Sequence, residues 1–74
     1  MLVKSKITGK KYDPVHMVNI LNMKQATLYM KFGVELIDIF VSENHKTGEP
    51  VLVFMFDRES TRKAYDLWCK GELK

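Results

Sequence analysis

The chain has little that would hold a small domain together covalently: one cysteine and two prolines among 74 residues. A single thiol, Cys69, excludes a disulfide within the chain. Neither His16 nor His45 stands at zinc-motif spacing from Cys69, so we expect no structural metal and no cofactor. No apolar run approaches the roughly 20 residues that span a bilayer, and no apolar core follows the first residues. The sequence therefore predicts a soluble, cytoplasmic protein without a membrane anchor.

The excess of basic charge is confined to the N-terminal segment. The chain has 12 basic and 9 acidic residues, and residues 1–12 contain several lysines but no acidic residue. Lysines contact phosphates and an aromatic ring can stack on a base. The candidate nucleic-acid or anion-binding residues are Lys4, Lys6, Lys10, Lys11 and Tyr12. The alternative is a solvated edge strand whose lysines discourage aggregation.

Local patterns predict a single small domain over residues 1–74. Residues 1–20 form a basic strand and turn segment, with a turn at Gly9, a break at Pro14 and a strand over residues 15–21. Residues 21–73 form a helix–hairpin–helix unit. Its first helix runs from Asn22 as N-cap to Gly33, since these residue types punctuate helices.

The second half of that unit is a hairpin followed by a helix. Residues 34–41 and 51–56 are rich in β-branched and aromatic residues, and the loop between them consists of turn-forming residues. Asp57 then caps a helix over residues 58–70 that ends at Gly71. The fold class is therefore α+β, with a small antiparallel sheet and two helices in the order β-β-α-β-β-α.

Residues 21–73 resemble a family of short uncharacterised bacterial and phage domains. The resemblance is carried by residues 26–33 (Ala-Thr-Leu-Tyr-Met-Lys-Phe-Gly), 34–39 (Val-Glu-Leu-Ile-Asp-Ile), 53–57 (Val-Phe-Met-Phe-Asp), Tyr65 and 70–73 (Lys-Gly-Glu-Leu). It implies a helix–hairpin–helix unit encoded by a phage or another mobile element. It implies no activity, because the family has none assigned.

Both faces of the predicted hairpin are apolar, whereas a strand with one wet face alternates between apolar and polar residues. In residues 51–56, every position on either face is apolar. Leaving such a face in water would forfeit several kcal/mol at about 25 cal/mol per Å². The second face is therefore covered, either by the N-terminal segment or by another chain, and we favour a symmetric homodimer. The predicted protein-interface residues are Val51, Val53, Met55, Ile37 and Ile39.

No set of residues predicts catalysis. His16 follows Asp13 by three positions, Cys69 lies in the last turn of a helix where the macrodipole disfavours a thiolate, and Asp38 interrupts an apolar strand without a partner. We expect a non-enzymatic binding protein that is phage- or mobile-element-encoded and occupies a host or defence-system component. The alternatives are a nucleic-acid-binding regulator that uses the lysines and a small anionic-ligand sponge at a dimer seam.

Overall fold

The computed structural model describes residues 2–74. Met1, the first residue of the predicted basic segment, lies outside the described residues. The described chain confirms the α+β class, with two helices and two small antiparallel sheets. The elements, in order, are β1 (Val3–Lys4), β2 (Lys11–Tyr12), a 3-10 helix (Pro14–His16), β3 (Met17–Ile20), α1 (Met23–Phe32), β4 (Leu36–Glu43), β5 (Pro50–Asp57) and α2 (Arg58–Cys69).

Part of the N-terminal segment folds into a small sheet of its own, which the sequence did not predict. β1 and β2 pair antiparallel, with Val3 opposite Tyr12 and Lys4 opposite Lys11. The tight connection between them is possible because Gly9 adopts a φ of 75°, which side chains disfavour. The main sheet has the strand order β3-β5-β4, so β3 and β4 form its two edges.

Both helices begin at the predicted N-caps, and α1 also ends at the predicted glycine. The Asn22 side chain accepts a hydrogen bond from the Gln25 N–H at 3.1 Å, and Gly33 closes α1 with a φ of 113°. The Asp57 carboxylate accepts from the Ser60 N–H at 3.2 Å at the start of α2. These bonds satisfy amide groups that have no partner within the helix itself.

The end of α2 turns the chain back into the core. Cys69 is the last helical residue, one position earlier than predicted, and the Gly71 N–H donates to the Trp68 carbonyl at 3.0 Å. The Glu72 N–H reaches the Leu67 carbonyl at 2.8 Å, as in a glycine-terminated Schellman motif. Leu73 is consequently buried against the helices, with 6% of its surface exposed.

An irregularity in β4 changes which side chains share a face. Leu36 lies opposite Phe56 and Asp38 opposite Met55, so Ile37 is an extra residue with no partner on β5. Such a bulge places two successive residues on the same side of a sheet. Ile37 therefore packs with Met55 on one face, while Ile39 packs on the other. The simple alternation that grouped Ile37 with Ile39 does not hold in this strand.

The two faces of the main sheet have different covers. On the face we call the helix face, Phe54 and Phe56 pack beneath both helices, and the rings of Tyr29 and Phe56 meet edge to face at 5.5 Å. On the opposite face, which we call the N-terminal face, Tyr12 packs on Val53 and Met55. Within residues 2–74, no helix combines the length and the apolar character needed to cross a bilayer.

Candidate functional site

The N-terminal face carries a buried carboxylate, Asp38, that is 7% exposed. Ser5 Oγ donates to Asp38 Oδ1 and Tyr12 Oη donates to Oδ2, each at 2.5 Å. The backbone N–H of Ile39 adds a third hydrogen bond at 2.8 Å. Hydrogen bonds from hydroxyls to an ionised carboxylate are short and strong, so this network joins the N-terminal segment to β4.

The network shifts the ionisation of both acids that take part. Burial alone would raise the pKa of Asp38, but the bonds from Ser5, Tyr12 and the Ile39 N–H outweigh it and lower that pKa below its ordinary value. The hydrogen bond to Asp38, together with burial and the carboxylate charge, raises the pKa of Tyr12 to about 12. Asp38 is therefore an anion and Tyr12 a neutral donor at physiological pH.

Two further side chains attach the N-terminal segment along the outer side of the bulge. Thr8 Oγ1 donates to the Ile37 carbonyl at 2.6 Å. Lys10 Nζ donates to the Leu36 carbonyl at 3.3 Å and lies 3.1 Å from a carboxylate oxygen of Glu35. The segment thus occupies the beginning of the β4 edge, and the rest of that edge has no strand partner among residues 2–74.

The N-terminal segment determines how exposed the predicted interface residues are on this face. Val53 and Met55 are only 4% and 6% exposed, because Tyr12 and its neighbours bury them within the chain. Ile37 is half-buried in the same cluster, and Ile39 is half-buried under the helices on the opposite face. Of the predicted set, Val51 and Val53 line a concavity near the surface, and Val51 is half-buried.

The sheet remains open at the end nearest the β4–β5 loop. A concavity of about 530 Å³ lies there on the N-terminal face, and Leu21, Phe40 and Val51 line it together with polar and charged residues of the strand ends and the loop. On the helix face of the same end, Val41 and Leu52 lie opposite each other and are 67% and 40% exposed. We call these five residues the open end. Leu21, Phe40 and Val51 lie on the N-terminal face and Val41 and Leu52 on the helix face, so both faces of this end carry exposed or half-buried apolar side chains.

The predicted anion-binding residues separate into two groups. Tyr12 is 7% exposed with its hydroxyl on Asp38, so its ring cannot stack on a base, and Lys10 is engaged with Glu35. Lys4, Lys6 and Lys11 are exposed and have no carboxylate within ion-pair distance among residues 2–74. Lys4 and Lys11 lie directly opposite each other, an unfavourable arrangement of like charges.

The side chains considered for catalysis are not assembled into a site. His16 Nε2 lies 4.0 Å from Asp13 Oδ2 at the surface, and Cys69 is exposed at the end of α2. In the described part of the chain, no three histidine, cysteine or acidic side chains come together as metal ligands.

A second concavity was not predicted from the sequence. It lies on the helix face between β3, α1 and α2, and its volume is about 350 Å³. Arg58 and Arg62 stand at its rim, four positions apart on α2. Two arginines within the first two turns of a helix, where the macrodipole disfavours cations, were the only local signal of this groove.

No protein-family model matches the chain, and neither the curated proteins nor the solved structures compared with it provide a match. The resemblance of residues 21–73 to short bacterial and phage domains therefore stays a prediction.

Proposed function

We propose that the protein is a non-enzymatic protein-binding module whose binding surface is the open end of its sheet. The observation that carries this proposal is the contrast between two ends of one sheet: Val53 and Met55 are sealed by Tyr12, whereas Phe40 and Val41 are 39% and 67% exposed. Burial of such an apolar surface favours association.

The state of the buried polar groups supports binding over catalysis. Ser5, which would be a nucleophile in an enzyme, is 2% exposed and donates to Asp38 while accepting from the N–H groups of Ile7 and Thr8. Among residues 2–74, every buried polar side-chain atom has a hydrogen-bond partner. This network is saturated and closed to substrate, so it serves the attachment of the N-terminal segment.

The partner that fits the open end is a second copy of this chain, joined along β4. The outer side of residues 40–43 has no strand partner in the described chain, and an exposed strand edge can add another strand. In an antiparallel pairing centred on Val41, each Val41 meets its counterpart and Leu52 continues the apolar row on both sides.

The charges near β4 are compatible with that self-pairing. With Val41 on the two-fold axis, Glu43 of one copy lies opposite Ile39 of the other. The two Glu43 side chains are then about 14 Å apart along the strands, at about 3.4 Å per residue. That separation exceeds the Debye length of about 8 Å at physiological ionic strength, so their repulsion is screened.

The test compares two valine-to-lysine variants by sedimentation equilibrium. Val41→Lys places a charge on the proposed seam, and Val15→Lys places the same charge at a valine that is 70% exposed in the 3-10 helix. We expect the wild type and Val15→Lys to be dimers at high micromolar concentration and Val41→Lys to be monomeric, with matching circular dichroism spectra. A wild type that stays monomeric would contradict the dimer.

The family resemblance extends the proposal to the biological role. In this proposal the protein is encoded by a phage or mobile element, works in the host cytoplasm and occupies a host or defence-system component. A pull-down from host lysate tests this role. Capture of one host protein by the wild type, and its loss with Phe40→Asp, supports occupation through the open end. Equal capture by both proteins would place the contact elsewhere.

The exposed lysines support a second candidate, binding of nucleic acid by the N-terminal sheet. Lys4, Lys6 and Lys11 lie on one short hairpin without ion-pair partners in the described chain. If they contact phosphates, Lys6→Gln with Lys11→Gln should lower the salt dependence of binding by nearly two counterions. Lys24→Gln with Lys31→Gln on α1 is the charge-matched control. Equal loss in both double variants would mean only a general charge effect.

A further inference from the structure

We propose that the groove between β3, α1 and α2 binds a small amphipathic anion, a molecule with one hydrophobic ring or short hydrocarbon body and one anionic group. This site lies on the helix face beside β3. It is separate from the open end, whose proposed seam follows β4 at the other edge of the sheet.

The lining residues and the volume of the groove determine the size and character of the hydrophobic part of the ligand. Val18 and Ile20 of β3 form one side and Tyr65 of α2 the other, with Tyr29 beneath them. The Tyr29 ring is fixed, because it is 1% exposed, packs edge to face on Phe56 and has its hydroxyl bonded to Gln25 Nε2 at 2.9 Å. A volume of about 350 Å³ lies at the small end of the range of ligand pockets, about 300–1,000 Å³.

The two arginines at the rim of the groove favour a ligand with a negative charge. Arg58 has no carboxylate within ion-pair distance among residues 2–74, and its guanidinium group donates to the Met17 carbonyl at 3.5 Å. Arg62 lies 3.3 Å from Glu59, but both side chains are more than 70% exposed, so that pair is weak. Both guanidinium groups therefore keep donors free for a carboxylate, sulfonate or phosphate.

The same lining argues against a nucleotide. A base and a sugar need several hydrogen-bonding partners, but Thr61 Oγ1 already donates to the Arg58 carbonyl at 2.8 Å and the Tyr29 hydroxyl already accepts from Gln25 Nε2 at 2.9 Å. Apolar walls with cations only at the mouth match a ligand whose charge is at one end and whose remainder is hydrophobic.

Two dyes of nearly the same shape test the proposal. Anilinonaphthalene sulfonate carries one anionic group, and N-phenylnaphthylamine has the same rings without it. We expect the anionic dye to bind the full chain with one-to-one stoichiometry and to shift the backbone amide resonances of Val18, Ile20 and Tyr65. We expect the neutral dye to bind about tenfold more weakly or worse.

Charge variants then separate the groove from general attraction. Arg58→Gln and Arg62→Gln should each weaken the anionic dye by about tenfold and leave the neutral dye unchanged. Lys63→Gln removes the same charge from an exposed position of α2 that does not line the groove, and should change neither affinity. The proposal is overturned if Lys63→Gln weakens the dye as much as the arginine variants, or if the amide shifts map to the open end instead.

Discussion

Both ends of the three-stranded sheet have apolar residues on the N-terminal face, but the N-terminal segment covers one end and not the other. Near the bulge, the N-terminal segment covers the sheet and Met55 is 6% exposed; near the loop, Phe40 on the same face is 39% exposed. Both ends have apolar residues, so hydrophobicity alone does not distinguish them. What distinguishes them is Asp38, which anchors the cover at one end through Ser5 and Tyr12.

The comparison teaches that a buried carboxylate can specify which part of an apolar face is closed. Asp38 has no cation against it among residues 2–74; hydroxyl donors and an amide hold its charge. Such a network stabilises the structure only when every member is satisfied, since an unpaired buried polar group is unfavourable. Among residues 2–74 the open end has no comparable anchor, and its apolar side chains stay exposed or half-buried.

The largest expected difference between the two ends comes from truncating one side chain in each. Met55→Ala removes a buried side chain beneath Tyr12 and should lower the free energy of unfolding by about 2–5 kcal/mol. Phe40→Ala at the open end should lower it by about 1 kcal/mol or less in the dilute monomer. Urea unfolding measures both. Equal losses would mean that the two ends are not differently packed.

Replacing the anchoring carboxylate should have the next largest effect. Asp38→Asn removes the charge that receives the hydroxyl bonds and should lower the free energy of unfolding by about 1–3 kcal/mol at neutral pH. The pKa of Asp38 is lowered in the folded state, so its contribution is complete above the unfolded value of about 3.9 and is lost as the pH falls through the folded value.

Urea midpoints of the wild type and Asp38→Asn at neutral and acidic pH test this sign. The gap between the two proteins should be widest at neutral pH and should narrow as the solution is acidified below about pH 4. A gap that is constant over that interval would show that Asp38 does not act through its charge.

The hydroxyl of Tyr12 should show its effect at the other end of the pH scale. Its pKa is raised to about 12 in the folded state. An unfolded tyrosine ionises near pH 10, so the stability due to this hydroxyl is complete below about pH 10 and is lost as the pH rises toward the folded value. Tyr12→Phe lacks this loss. The difference in unfolding midpoint between the two proteins should therefore shrink in alkali, and a difference that grows would contradict the assignment.

The smallest expected effects belong to the lysines at the edge of the cover. Lys10→Gln loses the ion pair with Glu35, whose side chains are 39% and 69% exposed, and should lower stability by about 0–1 kcal/mol. Lys11→Gln removes a charge that lies opposite Lys4 and should be neutral or slightly stabilising. Thermal unfolding at low ionic strength compares them. A Lys10→Gln variant as stable as the wild type would mean that Lys10 is not an attachment point.

Local signals were sufficient to predict the helices and, to within one residue, their ends. Asn22, Gly33 and Asp57 act through bonds to amide or carbonyl groups within a few positions, so the sequence contains their whole environment. The hairpin was predicted for the same reason, although β4 and β5 extend further into the loop than expected, to Glu43 and from Pro50.

The closure of the N-terminal face could not be predicted because it depends on long-range contacts. Ser5 and Asp38 are 33 positions apart, and no periodicity links them. The bulge at Ile37 also escapes a pattern that assumes strict alternation, and it is what places Asp38 beside Ile37 on the covered face. Tyr12 looked available to a ligand for the same reason: its partner lies in another element.

Amide hydrogen exchange along β4, measured at low and at high protein concentration, tests the central claim most directly. The Ile39 N–H, which donates to Asp38, should be protected at both concentrations. The outward-facing amides among residues 40–43 should exchange rapidly in dilute solution and become protected as the chain associates. If those amides exchange at the same rate at both concentrations, or if Ile39 exchanges as fast as they do, the distinction between an anchored end and a binding end is contradicted.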